Sequence, residues 1–446
     1  MGNQLFGTDG IRGKANEYPI TPEMALQVGK AIARVFGASG HGETKAVIGK
    51  DTRLSGYMLE AALTSGLVSM GMDAIGVGPM PTPAVAHLTR SFNASCGIMI
   101  TASHNPAEDN GIKIFGADGF KLPDAVEAEI EKHILSGIQG GSPNIGKARR
   151  IDDARGRYIE FAKASVDNHS LKGLKVVLDC ANGAAYSIAP LIFQELGAEV
   201  IAANVQPDGL NINAGCGALH PERAGQLVLQ HGADVGITLD GDADRVIFVD
   251  AHGNEINGDR ILGMCALEMK EHGRLAHDTL VVTGMSNLGL IKAMEAAGIR
   301  TEITGVGDRY VIESMRRNGY NIGGEQSGHI IFMDYVTTGD GIITALHVLK
   351  HMVTKGRSLA ELTGFMTEYP QEIRSLKVRE KIPLEQLPAV SAAISDCERA
   401  LGDRGRTVVR YSGTENKIRF LVEAETEAAM TEWIGRIEAA VKQELC

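Results

Sequence analysis

Asp240, Asp242 and Asp244 stand in the string DGDADR, three carboxylates within five residues, between the apolar runs DVGITL and RVIFVD. Like charges packed that closely repel unless they are protonated or share a cation. An all-oxygen set selects a hard ion, Mg²⁺ or Ca²⁺, rather than zinc. A calcium EF-hand loop needs Gly at its sixth position and Glu at its twelfth. Counting from Asp240 gives Arg245 and Ala251, which excludes it. The alternative, a solvated acidic turn, is disfavoured by apolar strands on both sides.

Ser103 stands in TASHNP, directly after the apolar run CGIMI and beside His104, with Pro106 ending regular structure. A serine so placed is either a turn or capping hydroxyl or a nucleophile. No G-x-S-x-G elbow surrounds it, so a hydrolase of that type is not indicated. Lys113, in NGIK ten residues on, is a surface cation, or a proton carrier if burial or neighbouring charge lowers its pKa.

GEQSGH places Glu325, Gln326, Ser327 and His329 among glycines that let the backbone approach a ligand. Glu accepts, Ser donates and accepts, and neither adds hydrophobic bulk, so the string suits a sugar or is an ordinary polar loop. In RYSGTENKIR, Arg410 and Arg419 flank Ser412, Gly413 and Thr414 in a tight turn. Guanidinium forks, hydroxyls and backbone N–H groups make a phosphate cradle; solvated edge-strand arginines are the alternative. FGTDGIRG brings Thr8, Asp9 and Arg12 into a glycine-flanked turn, from which Arg12 could approach a phosphate held at Ser103. KDTRLSG sets Asp51, Arg53 and Ser55 at a strand-to-helix junction, with Ser55 as the helix cap. Neither G-x-x-x-x-G-K-[ST] nor G-x-G-x-x-G occurs, so ATP or NAD binding has no support.

The elements behind these strings repeat. A β-α-β-α-β order starts near residue 46 with AVIG, a helix from Ser55 to Gly71, DAIGV, a helix around 83–92 and CGIMI. It returns near 174 with LKVVL, AYSIAPLIFQEL, AEVIA, PERAGQLVLQHG and ADVGITL, and near 279 with TLVV, NLGLIKAMEAAG, RTEIT, DRYVIESMRRNG and YNIGG. TASHNP, DGDADR and GEQSGH each follow a third strand, at the carboxyl end where open α/β sheets place ligands. The expected fold class is therefore α/β: three similar mixed α/β domains over 1–152, 153–254 and 255–368, plus a smaller C-terminal α+β domain over 369–446, around a central cleft. LSGIQGGSPNIG and Tyr369-Pro370 mark the first and last linkers.

Composition narrows the function further. At 446 residues, 44% hydrophobic and 22% charged, the chain reads as globular, with about three domains of ~150 residues each. Its formal charge of −11 repels nucleic acid and anionic lipid, so an anionic ligand must be held locally. Aromatic residues at 5% disfavour a base-stacking surface. Six scattered cysteines without a C-x-x-C pair indicate neither zinc nor a disulfide framework and suit the cytoplasm. With no apolar signal core and no run of 18 apolar residues, neither export nor a membrane partner is expected.

Taken in order, FGTDGIRG, TASHNP, DGDADR, GEQSGH and RYSGTENKIR resemble the α-D-phosphohexomutase family over essentially the whole chain. The resemblance implies three domains sharing an α/β core, a mobile fourth as cap, and a phosphorylated active-site serine. Ser103 would donate and recover a phosphoryl group and, with Asp240, Asp242 and Asp244, hold Mg²⁺ beside it. Glu325 and Ser327 would read sugar hydroxyls, while Arg410, Ser412, Gly413, Thr414 and Arg419 would grip the phosphate that is not reacting. Lys113 and His329 would move protons, and Arg12 would serve the reacting phosphate. A sugar bisphosphate activates, and the bisphosphorylated intermediate turns around in the cleft. Gln326, where mannose/glucose mutases often carry Met, favours a hexosamine phosphate, glucosamine 6-phosphate, as substrate. The alternatives are phosphomannomutase/phosphoglucomutase activity, a phosphatase, and a non-catalytic phosphosugar-binding regulator. Asn416 and Lys417 depart from the S-G-T-E-P of many relatives. A homodimer is a family-level expectation.

Overall fold

The computed structural model describes residues 5–7, 9–37, 44–412 and 416–446. Three of its four sheets follow one plan. In the first, the parallel strands Lys45–Lys50, Asp73–Pro79 and Cys96–Ile100 lie in the order third, first, second. Lys175–Asp179, Glu199–Ala203 and Val235–Leu239 repeat that order, as do Thr279–Thr283, Arg300–Thr304 and Ile322–Gly324. Each third strand is then paired antiparallel with a return strand: Asp109–Gly116, Val246–Asp250 and Ile330–Phe332 respectively. Identical order and an identical return make this a true structural repeat rather than a coincidence of α/β composition.

The return strand extends the expected β-α-β-α-β unit, and its consequence is chemical. It makes each polar string the tip of a hairpin, fixed at both ends. Direction of pairing is set by contacts distant in sequence, so a short apolar run does not reveal it. Helix bounds also shift. The run AYSIAPLIFQEL becomes helical only over Ala189–Glu195, because Pro190 belongs in a first turn, where its missing N–H costs nothing. Ser55 does not cap its helix, Ser55–Ser69. Its hydroxyl instead accepts from Asn110 Nδ2 at 2.8 Å.

Strand alternation divides the core. Ala46 and Ile48 join Leu59, Leu63 and Leu67 on one face of the first sheet, while Val47 and Met99 join Val85 and Leu88 on the other, as a period of two with helices on both faces demands. The second of these cores runs on without a break through all three units. The C-terminal unit keeps its own core of residues between Val378 and Leu445. It pairs Gln371–Lys377 and Gly405–Tyr411 on either side of Lys417–Ala424. Its junction with the third unit is polar. Asn287 clamps the Tyr369 backbone through Nδ2 to the carbonyl (2.9 Å) and Oδ1 from the N–H (3.0 Å), and buried Glu423 accepts from Leu288 N–H and Arg406 Nε, each at 2.6 Å.

Candidate active site

The three hairpin tips meet at one cleft with Arg410, Ser412 and Arg419 of the C-terminal unit. Its larger cavity, about 660 Å³, is lined by Arg12, Asp244, Glu325, Ser327, His329, Arg410, Ser412 and Arg419. A second cavity of about 420 Å³ is lined by His104, Asp240 and Asn257. Arg245, Gln326 and Ser327 border both.

Ser103 lies just beneath this surface, 1% exposed. Its backbone is left-handed, with φ +52°, a state that costs a residue carrying a Cβ roughly 1–2 kcal/mol. Its Oγ donates to Asp240 Oδ2 at 2.7 Å, and His104 Nδ1 is 3.3 Å away. A Cβ on Gly241 would meet the Ser103 carbonyl oxygen at 2.5 Å, so the first two tips touch only because DGDADR has glycine there.

The three aspartates are buried, with one carboxylate oxygen of each within 4.8 Å of the others. Burial, then the charges of Asp242 and Asp244, push the Asp240 carboxyl well above the ordinary range. That is the repulsion expected of clustered carboxylates. Asp242 Oδ1 and Asp244 Oδ1 are buried and accept no hydrogen bond. Orphaned carboxylate oxygens gathered on one loop fit a divalent cation, which Asp240, Asp242 and Asp244 would hold. Asp242 is oriented from the first unit. Thr82 donates its N–H to the Asp242 carbonyl at 2.9 Å and its hydroxyl to Oδ2 at 2.6 Å.

Lys113 is buried against the acidic cluster. Its Nζ lies 2.9 Å from Asp242 Oδ2, 3.3 Å from Asp244 Oδ2 and 3.1 Å from Asp9 Oδ2. Burial opposes the ammonium charge, but Asp242, Asp9 and Asp244 outweigh it and hold the pKa well above normal. Its ammonium therefore faces three carboxylates, two of them from the DGDADR loop.

His329 is also committed. Gly339 N–H donates to its Nε2 at 3.0 Å, which leaves the proton on Nδ1, 3.7 Å from Asp244 Oδ1. Burial opposes a charge on the ring, and Asp244 and Asp308 outweigh it. The net effect of these neighbours is to raise the His329 pKa. His104 shifts the other way: burial, then Arg245 and Arg12, lower its pKa to about 4.

Arg12 lines the larger cavity and sits opposite Gly111, on the return strand that follows the Ser103 loop. The Nε groups of Arg12 and Arg245 are both buried without a hydrogen-bond partner, a donor pair suited to an anion. Arg410 and Arg419 face each other in register across their hairpin, and Arg419 is on the central strand, which removes the edge-strand alternative for it. Thr8, Gly413 and Thr414 lie outside the described residues. The sequence reading passes over Arg245, although it ends DGDADR and was legible there. It also misses Thr82 and Lys121; the latter pairs with Asp9 and with Asp308 of the third unit. Nothing local marks either, because their partners are more than a hundred residues away.

Comparisons with known proteins agree with this geometry. The chain matches the phosphoglucomutase/phosphomannomutase alpha/beta/alpha domains I, II and III over residues 3–140, 156–253 and 257–369, and the C-terminal domain over 372–440. It is 53% identical to a phosphoglucosamine mutase of Geotalea daltonii over 447 aligned residues, covering 99% of this chain and 98% of the relative. A phosphoglucomutase/phosphomannomutase family protein of Burkholderia thailandensis has the same fold (TM-score 0.82, 24% identity, 100% and 98% of the two chains). So has the Aspergillus fumigatus N-acetylphosphoglucosamine mutase solved with GlcNAc-6P and magnesium (TM-score 0.67, 19% identity, 99% and 96%). The chain belongs to the phosphoglucomutase/phosphomannomutase family, the α-D-phosphohexomutases. Within that family it is an intramolecular phosphotransferase, an isomerase of sugar phosphates. No helix among the described residues is long and apolar enough to cross a membrane.

Proposed function

We propose that this chain interconverts glucosamine 6-phosphate and glucosamine 1-phosphate by two phosphoryl transfers at Ser103. The observation that carries the reading is the Ser103 Oγ, 2.7 Å from Asp240 in a carboxylate triad with two orphaned buried oxygens. The choice of glucosamine rests on the name borne by relatives above 50% identity. We take the cation to be Mg²⁺, which suits the hard oxygen set and accompanies the Aspergillus enzyme. A hexose bisphosphate would load the serine.

In the first transfer a sugar hydroxyl oxygen bonds to the phosphorus on Ser103, the P–Oγ bond breaks, and the sugar leaves as a bisphosphate. The proton lost by that sugar hydroxyl goes to neutral His104, 3.3 Å from the serine oxygen, which accepts it as a base and then gives it up to the departing Oγ. When bound, the cation neutralises charge on the transferring group. Arg12 and Arg245 hold the moving phosphoryl oxygens, Glu325 and Ser327 read the sugar hydroxyls, and Arg410, Ser412 and Arg419 hold the distal phosphate. After the bisphosphate turns around, its other phosphate passes to Ser103 by the reverse of these steps. The separately cored C-terminal unit keeps water off the loaded serine.

The test is ³¹P NMR with Mg²⁺, a trace of hexose 1,6-bisphosphate, and glucosamine, mannose or glucose 6-phosphate in parallel. The 1-phosphate should form fastest from glucosamine. Faster turnover of mannose or glucose overturns the sugar assignment, and release of inorganic phosphate alone indicates a phosphatase. Arg419→Ala should raise KM about 10- to 100-fold, the worth of a charge-assisted hydrogen bond, with a much smaller change in kcat. Unchanged KM would remove Arg419 from the phosphate site.

A further inference from the structure

The reaction as derived gives no task to the segment Asp51–Ser55, yet that segment carries Arg53, a fully buried arginine. The segment is pinned to the second unit on both sides of it. Thr52 Oγ1 donates to the Asn182 carbonyl at 2.5 Å, and Leu54 N–H to the Gly209 carbonyl at 2.9 Å. From that anchor the guanidinium enters the loop that bears Ser103. Nη2 donates to the carbonyls of Ser103 (3.0 Å) and Asn105 (2.7 Å). Nη1 donates to the carbonyls of Pro106 and of Asp109 (3.1 Å), and Nε to Asp51 Oδ2 (2.9 Å). All five N–H donors of the fork are thus spent inside the protein.

The amide side of Ser103 is tied to the same pair. Ser103 N–H donates to Thr101 Oγ1 at 2.9 Å, and that hydroxyl donates to Asp51 Oδ2 at 2.7 Å. From the second unit Asn213 Nδ2 reaches the same two carbonyls as Arg53, Ser103 at 2.9 Å and Asn105 at 3.0 Å. Both backbone groups of Ser103 are therefore held, in a backbone conformation that serine does not adopt by preference.

We propose that Arg53, together with Asn213, is a positioning residue for phosphoryl transfer: the two clamp the 103–109 loop so that Ser103 stays left-handed with its Oγ on the aspartate triad. The proposal rests on the reading of Ser103 as the phosphoryl carrier. Neither residue touches the substrate. A lysine cannot replace the arginine, because an ammonium has no planar fork to serve four carbonyls and a carboxylate at once.

The experiment uses the full chain with Arg53→Lys and Asn213→Ala; the second decides the matter if the first does not fold. Three quantities are read: amide hydrogen exchange over 101–109 against 325–329, phosphoryl uptake from hexose 1,6-bisphosphate by intact mass, and kcat and KM on the hexose phosphate the parent turns over fastest. Exchange should rise in 101–109 alone. Phosphoryl uptake should slow, and kcat should fall about 10-fold in Asn213→Ala and about 100-fold in Arg53→Lys with KM within about 2-fold, the signature of a misplaced reacting group. A folded Asn213→Ala with parental kcat overturns the proposal. So does exchange raised across the whole chain with kcat and KM changed together, which marks a merely structural role. Failure of the underlying reading looks different: Ser103→Ala would itself keep turning over.

Discussion

Ser103→Ala is expected to abolish interconversion, lowering kcat by at least about 10⁴-fold while the protein stays folded. The methyl group occupies space the serine side chain already fills, and the clamp on the loop engages only the backbone of residue 103. What disappears is the one hydroxyl that donates to Asp240 and would carry the phosphoryl group. Binding of the sugar phosphate, proposed above to rest on Arg410, Ser412 and Arg419, should change little. Three readouts separate these effects: turnover by ³¹P NMR, absence of a phosphoryl mass increment after incubation with hexose bisphosphate, and an unchanged thermal midpoint. Turnover above about 1% of the parent would remove Ser103 as the carrier.

Asp242→Asn should cost about 10²-fold or more in kcat, equivalent to ~3 kcal/mol of lost stabilisation of the transferring charge. Asp242 Oδ2 already accepts from Thr82 Oγ1 and Lys113 Nζ, so an asparagine oxygen in that place keeps the side chain oriented. The change is in charge, at the residue whose Oδ1 is buried without a partner. The Mg²⁺ concentration for half-maximal activity should rise, and activity should be lost to a chelator more readily than in the parent. A Mg²⁺ titration superimposable on the parent's would place the cation elsewhere.

How far the site was legible follows from where each residue finds its partners. DGDADR announces a hard cation from five consecutive residues, because the repulsion and the chemistry are both local. The three third strands and the polar strings after them are legible for the same reason: apolar runs ending in glycine-rich polar turns. Arg410 and Arg419 are paired by a hairpin that the sequence brackets on both sides. Lys113 was legible as a residue, but its surroundings were not. Burial by itself would have lowered its pKa, and the Asp242, Asp9 and Asp244 charges that reverse the sign come from other strings. His329 likewise stands in a readable loop, but Gly339 N–H decides which nitrogen holds its proton.

Residue type and local spacing by themselves determined the α/β repeat, the crowded acidic loop and the polar strings that follow the third strands, because strand alternation, turn chemistry and carboxylate crowding act over a few residues. The tertiary structure alone decided the antiparallel returns that turn those strings into hairpin tips, the lock on the Ser103 loop from Arg53 and Asn213, and the carboxylates that surround Lys113. Each of these depends on groups brought together from distant parts of the chain, and in a buried site the sign of an electrostatic effect is set by the neighbours that folding supplies.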